Sequence, residues 1–140
     1  MCAAAALPEY LKEYMDWADS FDEYMGPTCA EDSKLWHRCV PFAPVGNGDH
    51  LGLDIGASDQ APPVAYLCHD GEGESRIIAP TFDNFLQTWE DLYYVGPAIW
   101  ILHQFIDPVT GFLCSQSAGA RELRQMFENA FRTGEFRCER

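Results

Sequence analysis

The side chains closest to reactive chemistry are two short cysteine and histidine groupings. His37 and Cys39 alternate, and Cys68, His69 and Asp70 are consecutive. Thiolate, imidazole and carboxylate are zinc ligands, so two neighbouring strands carrying these residues would be able to assemble a Cys/His site. Structural zinc sites, however, draw on paired short-spaced ligands. None of the six cysteines, at positions 2, 29, 39, 68, 114 and 138, forms Cys-x-x-Cys. Residues 68 and 69 would also face opposite sides of a strand. The plainer reading is a buried cysteine beside a hydrogen-bonded or exposed histidine, with no metal.

Other catalytic patterns are missing. There is no Gly-x-Ser-x-Gly and no cysteine or serine on a recognisable strand-to-helix elbow. Gly46-x-Gly48 and Gly71-x-Gly73 fall in turns between strands rather than ahead of a helix, and neither precedes a lysine as a phosphate cradle would. With 22 Asp and Glu residues, paired carboxylates carry no information. Asp49, Asp54 and Asp70 sit near strand ends and turns, where Asp commonly bonds its own backbone. The expectation is a protein with no catalytic residue and no cofactor.

The formal net charge of −13 argues against direct nucleic-acid binding, which needs a basic stripe to replace phosphate counterions, and against docking on an anionic membrane surface. Acidity alone more often means solubility than function, and the functional alternative is attraction to a basic partner. The longest apolar stretches, such as 95–102, are broken by Gly and Pro and are far too short to span a bilayer. The opening MCAAAALPEY has no basic n-region, so the expected location is the cytoplasm, with all six thiols reduced.

A chain of 140 residues suits a single domain, 1–140. Leu7, Tyr10, Leu11, Tyr14, Trp17, Ala18, Phe21 and Met25 recur at helical spacing, opposite Glu9, Glu13, Asp16, Asp19, Asp22 and Glu23 with Lys12 as the sole base. Residues 26–35 read as a polar connection, and strand period begins at Trp36. Asn47-Gly48 predicts a tight type I′ hairpin. Beyond it, Leu51, Leu53 and Ile55 alternate with His50, Gly52 and Asp54, the pattern of a half-buried strand. A third strand over 64–69 and a fourth over 76–79 complete an antiparallel meander. Helical period returns with Thr81 as N-cap and Phe82, Phe85, Leu86, Trp89, Leu92 and Tyr93 on one face. A short helix over 98–104 follows. Ser117 caps a last helix whose expected buried side is Leu123, Met126, Phe127, Ala130 and Phe131. The fold class is α+β: an antiparallel sheet of about four or more strands backed by amphipathic helices. The tryptophans, at helical spacing, read as core, with an exposed one pointing instead to binding.

The strings VPFAPVGNGDHLGLDIG and PPVAYLCHDGEGESRIIAPTFDNFLQTWEDLYYVGPAIW resemble the SUKH superfamily, which includes fungal cell-wall-assembly regulators and many bacterial immunity proteins. The carrying features are Asn47-Gly48-Asp49, LDIG from Leu53, VAYLCHDG from Val64, APTF from Ala79, the helix with Trp89, and Gly96-Pro97. Similarity runs over residues 36–100 and, more weakly, to residue 127. Cys68 stands where the family pattern usually has serine. Members generally carry a further helical segment ahead of this starting point, so the expectation is a shortened member or a trimmed N-terminus. The resemblance implies an α+β fold without enzymatic activity, and for the bacterial members binding of toxin domains, often nucleases. The resulting expectation is an immunity-type domain that binds another, basic protein, with no nucleic acid and no membrane as partner. The alternatives are a regulatory or scaffold domain of the cell-wall-regulator kind and a small enzyme or metal protein. The expected contact residues are Glu9, Glu13 and Asp16 on the first helix, and Asp70, Glu72 and Glu74 in the turn after the third strand.

Overall fold

The computed structural model describes residues 7–25, 30–70 and 75–133. Its elements run α1 (Leu7–Met25), α2 (Ala30–Arg38), β1 (Cys39–Pro44), β2 (His50–Asp54), β3 (Val64–Leu67), β4 (Arg76–Ala79), α3 (Phe82–Asp91), α4 (Ile99–Leu102), a 3-10 turn (His103–Phe105) and α5 (Ala118–Thr133). The strands form one antiparallel sheet in the order β1-β2-β3-β4, the expected meander, so the fold is α+β.

Both faces of the sheet are covered, where the alternation in β2 suggested one. Val64, Tyr66 and Ile78 face a core shared with Phe85, Leu92, Leu102 and Phe105 from the helices that follow the sheet. Ala65 and Leu67 face a second core built from Tyr14 and Ala18 of α1 and from Leu35 and Trp36 of α2. Period-two alternation along β3 therefore sends apolar side chains into two cores, and all four of its residues are buried. In β2, Leu51 is fully buried, but so is Asp54, while Ile55 lies past the strand end and is exposed.

The second core depends on α2, where a polar connection leading into a strand was expected. Trp36 and His37 belong to this helix, and the strand begins at Cys39. Its first turn carries Glu31 and Asp32 and its last His37 and Arg38, which suits the helix dipole at both ends. Buried Asp32 accepts the Ser75 amide at 3.1 Å, and Trp36 Nε1 donates to the Cys68 carbonyl at 3.2 Å. These two bonds tie the helix to β4 and to the end of β3.

The β1–β2 hairpin is wider than a two-residue turn. Pro44 pairs with His50, leaving residues 45–49 as the loop, closed by the Val45 amide on the Asp49 carbonyl at 2.9 Å. Positive φ falls at Gly46 and Gly48, not at Asn47, whose Oδ1 instead accepts the Asp49 amide at 3.1 Å. At Gly48 a Cβ would come within 2.9 Å of the His69 ring, so the loop packs directly on His69, two residues beyond β3.

The helices after the sheet start as expected and bury less than expected. Thr81 Oγ1 accepts the Asn84 amide at 3.1 Å, capping α3, and Ser117 Oγ accepts the Ala120 amide at 3.1 Å, capping α5. On α3, Phe85 is buried, Phe82 and Trp89 are half-buried, and Leu86 is exposed; Leu92 and Tyr93, beyond the helix, are buried and exposed. Of the α5 residues expected inside, Leu123, Phe127 and Ala130 are half-buried, whereas Met126 and Phe131 point into solvent. Among the tryptophans, Trp36 is fully enclosed, Trp89 half-buried, and Trp17 and Trp100 exposed, so the all-core reading fails for two.

Candidate functional site

Helical period in α1 turns Tyr14 and Ala18 inward and leaves Tyr10 and Leu11 half-buried. Tyr14 stacks on Trp36 with centroids 5.1 Å apart, and its hydroxyl donates to the Trp36 carbonyl at 2.6 Å. Burial pushes the ionisation of that hydroxyl far above its ordinary range, so it stays a neutral donor. The side chains of Leu7, Phe21 and Met25, expected on the same stripe, lie outside the described residues.

Docking α1 this way leaves a groove of ≈ 300 Å³ between the helix and the β1 edge of the sheet. Leu11, Met15 and Ala18 form one wall and Val40, Pro41 and Ile55 the other, with buried Tyr14, Trp36 and Cys39 at the base. Met15, Val40 and Ile55 are apolar yet 62%, 38% and 50% exposed. Three separate segments, α1, β1 and the turn after β2, thus bring solvent-exposed apolar side chains to one concavity, which isolated surface residues do not do. Asp19 also lines the groove, 3.9 Å from His37 Nδ1.

The expected contact residues fall in two places. Glu9, Glu13 and Asp16 are exposed on α1, together with Asp19 and Glu23. Asp70 is exposed beyond β3 and its Oδ1 accepts the Cys68 thiol at 2.9 Å. Glu72 and Glu74 lie outside the described residues. The groove itself was missed. Its signal was the surplus apolar residue on α1, Met15, one step off the buried stripe.

The arrangement closest to an enzyme's is Asp49, a buried carboxylate whose Oδ1 lies 2.6 Å from His69 Nδ1 and accepts the His69 amide at 2.9 Å. Tyr66 donates its hydroxyl to the other oxygen, which also accepts Asn47 Nδ2 at 2.8 Å. Burial opposes the charge on Asp49, but these hydrogen bonds outweigh it and hold the carboxyl below its ordinary value. Tyr66 in turn accepts the Ile99 amide at 3.2 Å. The network joins hairpin, β3 and α4, which is a structural task. No serine, threonine or cysteine is bonded to His69 among the described residues. The metal alternative also loses its geometry. His37 is on a helix, β2 separates β1 from β3, and no group of three candidate ligands comes together among the described residues.

A second apolar surface lies at the other end of the chain. Leu123, Met126, Phe127 and Ala130 line a shallow cleft of ≈ 220 Å³ on α5. Tyr93, packed 4.6 Å from Phe127, and Tyr94 both hold positive φ, an unfavourable backbone for tyrosine. This helix differs in charge from α1, since Arg121, Arg124 and Arg132 outnumber Glu122 and Glu128 on α5.

Among the described residues no helix is long and apolar enough to cross a membrane. No curated protein and no solved structure matches the chain. The sequence pattern of the SMI1 / KNR4 family (SUKH-1) matches residues 5–88, from α1 through most of α3 and well over half the chain, and the protein belongs to that family.

Proposed function

We propose that the protein is a non-enzymatic binding domain of the immunity kind, which acts in the cytoplasm by holding and neutralising a basic toxin domain such as a nuclease. The observation that carries this reading is the meeting of the apolar groove with the carboxylates of α1. Apolar centres supply most of the affinity of a protein interface, and surrounding charge speeds and selects the encounter. A nuclease must be basic to hold its substrate, and −13 on a chain of this size complements it. Family membership is consistent with an immunity-type domain, as it is with a regulatory one.

The test is recovery of the tagged protein from its native host with whatever remains bound, followed by titration of the purified pair. A basic partner whose toxic activity is abolished at equimolar protein is the expected outcome. An acidic partner, or a partner whose activity persists in the complex, would refute the reading.

A further inference from the structure

We infer that the groove between α1 and β1 seats a cationic segment that inserts a bulky apolar side chain between Met15 and Ile55. This rests on the protein-binding reading above and adds to it the surface and the chemistry of the occupant. The groove is too small for a folded element and, at ≈ 300 Å³, ample for one large side chain. Its walls are apolar, and Met15, Val40 and Ile55 remain exposed, so covering them removes apolar surface from water.

The occupant's charge follows from the rim. Asp19 lines the groove, and Asp16 and Glu23 are exposed on the same helix. Of the basic side chains on α1 and α2, Arg38 is held by Asp54, Lys34 by Glu31, and His37 stands beside Asp19, which leaves Lys12 against these carboxylates. The α5 surface is apolar as well, but its three arginines outnumber Glu122 and Glu128, so it attracts a cation less than the carboxylate-rich α1 does. Entry by strand pairing is disfavoured, because Pro41 and Pro44 remove backbone donors from the edge strand. Recognition therefore runs through an inserted side chain flanked by Lys or Arg.

Diffuse attraction of any cation to an acidic protein must be separated from docking, and the substitutions Met15→Glu and Ile55→Glu do so. Each adds negative charge while spoiling the apolar seat, so the two ideas predict opposite signs. The probe is a fluorescently labelled amphipathic peptide of Leu and Lys, compared with one in which Gln replaces Lys. The Leu/Lys peptide should bind the wild type more tightly than the Leu/Gln peptide. Each substitution should weaken Leu/Lys binding by about tenfold, the loss usual for an interface anchor, with Phe131→Glu on α5 without effect. All three side chains are exposed, and unchanged melting curves would show that the variants fold. Equal or tighter binding by Met15→Glu and Ile55→Glu overturns the inference, as does loss confined to Phe131→Glu. A native partner indifferent to both groove substitutions would also overturn it while leaving the protein-binding reading intact. Failure to recover any native partner would count against that reading alone, because the peptide measurement needs none.

Discussion

Arg38 grips Asp54 through two parallel hydrogen bonds, Nε to Oδ1 at 3.0 Å and Nη2 to Oδ2 at 2.6 Å. The carboxylate is fully buried and also accepts the Ala57 amide at 3.1 Å. The pair fastens the end of α2 to the end of β2, beside the Ile55 wall of the groove. Arg38→Ala would leave a buried charge poorly compensated. The expected loss lies below the ~3–5 kcal/mol of a wholly enclosed pair, because about half of the guanidinium side chain reaches water. Arg38→Ala combined with Asp54→Leu should lose less than the two single changes summed, as urea unfolding of the four proteins would show. Gly56→Ala should reproduce part of the defect, since a Cβ there would lie 2.7 Å from Arg38 Cβ.

The two inner tryptophans should differ in weight. Trp36 is fully enclosed, stacked on Tyr14 and bonded to the Cys68 carbonyl. Trp89 packs 5.2 Å from Phe85 and donates to the Val95 carbonyl at 2.7 Å, but it is only half-buried. Trp36→Ala should cost about 3–5 kcal/mol and Trp89→Ala roughly half of that. Equal losses in denaturant titrations would contradict the two-core arrangement.

His50 makes stability depend on pH. Its ring sits among Tyr10, Tyr14 and Trp36 at centroid distances of 5.7, 5.5 and 5.5 Å. Burial lowers its pKa below the ordinary 6.5, against the opposing pull of the Gly48 backbone and Asp49. The unfolded chain then binds this proton more readily than the folded one. Its contribution is complete above the unfolded value and is lost as pH falls through that value towards the lowered one. Wild type should therefore weaken as pH falls below the ordinary 6.5, and His50→Phe should flatten that part of the curve. His37, His69 and His103 remain in the variant, so the difference between the two profiles isolates His50.

The thiols should react unequally. Burial, with Asp54 as the next cause, pushes Cys39 up to about 12, and burial followed by the hydrogen bond to Asp70 pushes Cys68 up to about 12. Both are buried, while Cys114 is half-exposed. Brief alkylation of the native protein near neutral pH should label Cys114 and spare Cys39 and Cys68, as peptide mapping would reveal. Early labelling of Cys39 would mean that α1 opens readily over the second core.

Much of this organisation was legible from periodicity. The alternation of β2, the short turns between strand-like runs, the cap at Thr81 and the stripe of α1 led to four antiparallel strands and their helices. The failures have local causes. In α2, Leu35 and Trp36 are adjacent and every other residue but Ala30 is polar or charged, so no helical period forms; tertiary bonds to Ser75 and Cys68 stabilise the helix instead. Without α2 the second covered face of the sheet could not be inferred. The hairpin followed Gly46 and an Asn47 side-chain bond rather than the Asn-Gly preference. The acidic face of α1 was visible as a charge pattern, but the groove beside it was not. Its walls come from residues near 11–19, 40–41 and 55, and only the folded sheet brings them together.

That separation between charge and seat leads to a kinetic expectation once a partner is in hand. Glu13 and Asp16 are exposed on α1 and do not line the groove, so they should steer the approach without holding the complex. The double change Glu13→Lys with Asp16→Lys should slow association and flatten its salt dependence, because screening acts over ~8–10 Å at ordinary ionic strength. Dissociation should change little, as for rim charges generally. Met15→Glu should act the other way round, with most of its effect on dissociation. Stopped-flow association at two salt concentrations, with dissociation followed by competition, separates the two. If the helix double variant associates as fast as the parent while Asp70→Lys slows it, the steering surface is the turn after β3 and α1 supplies only the wall of the groove.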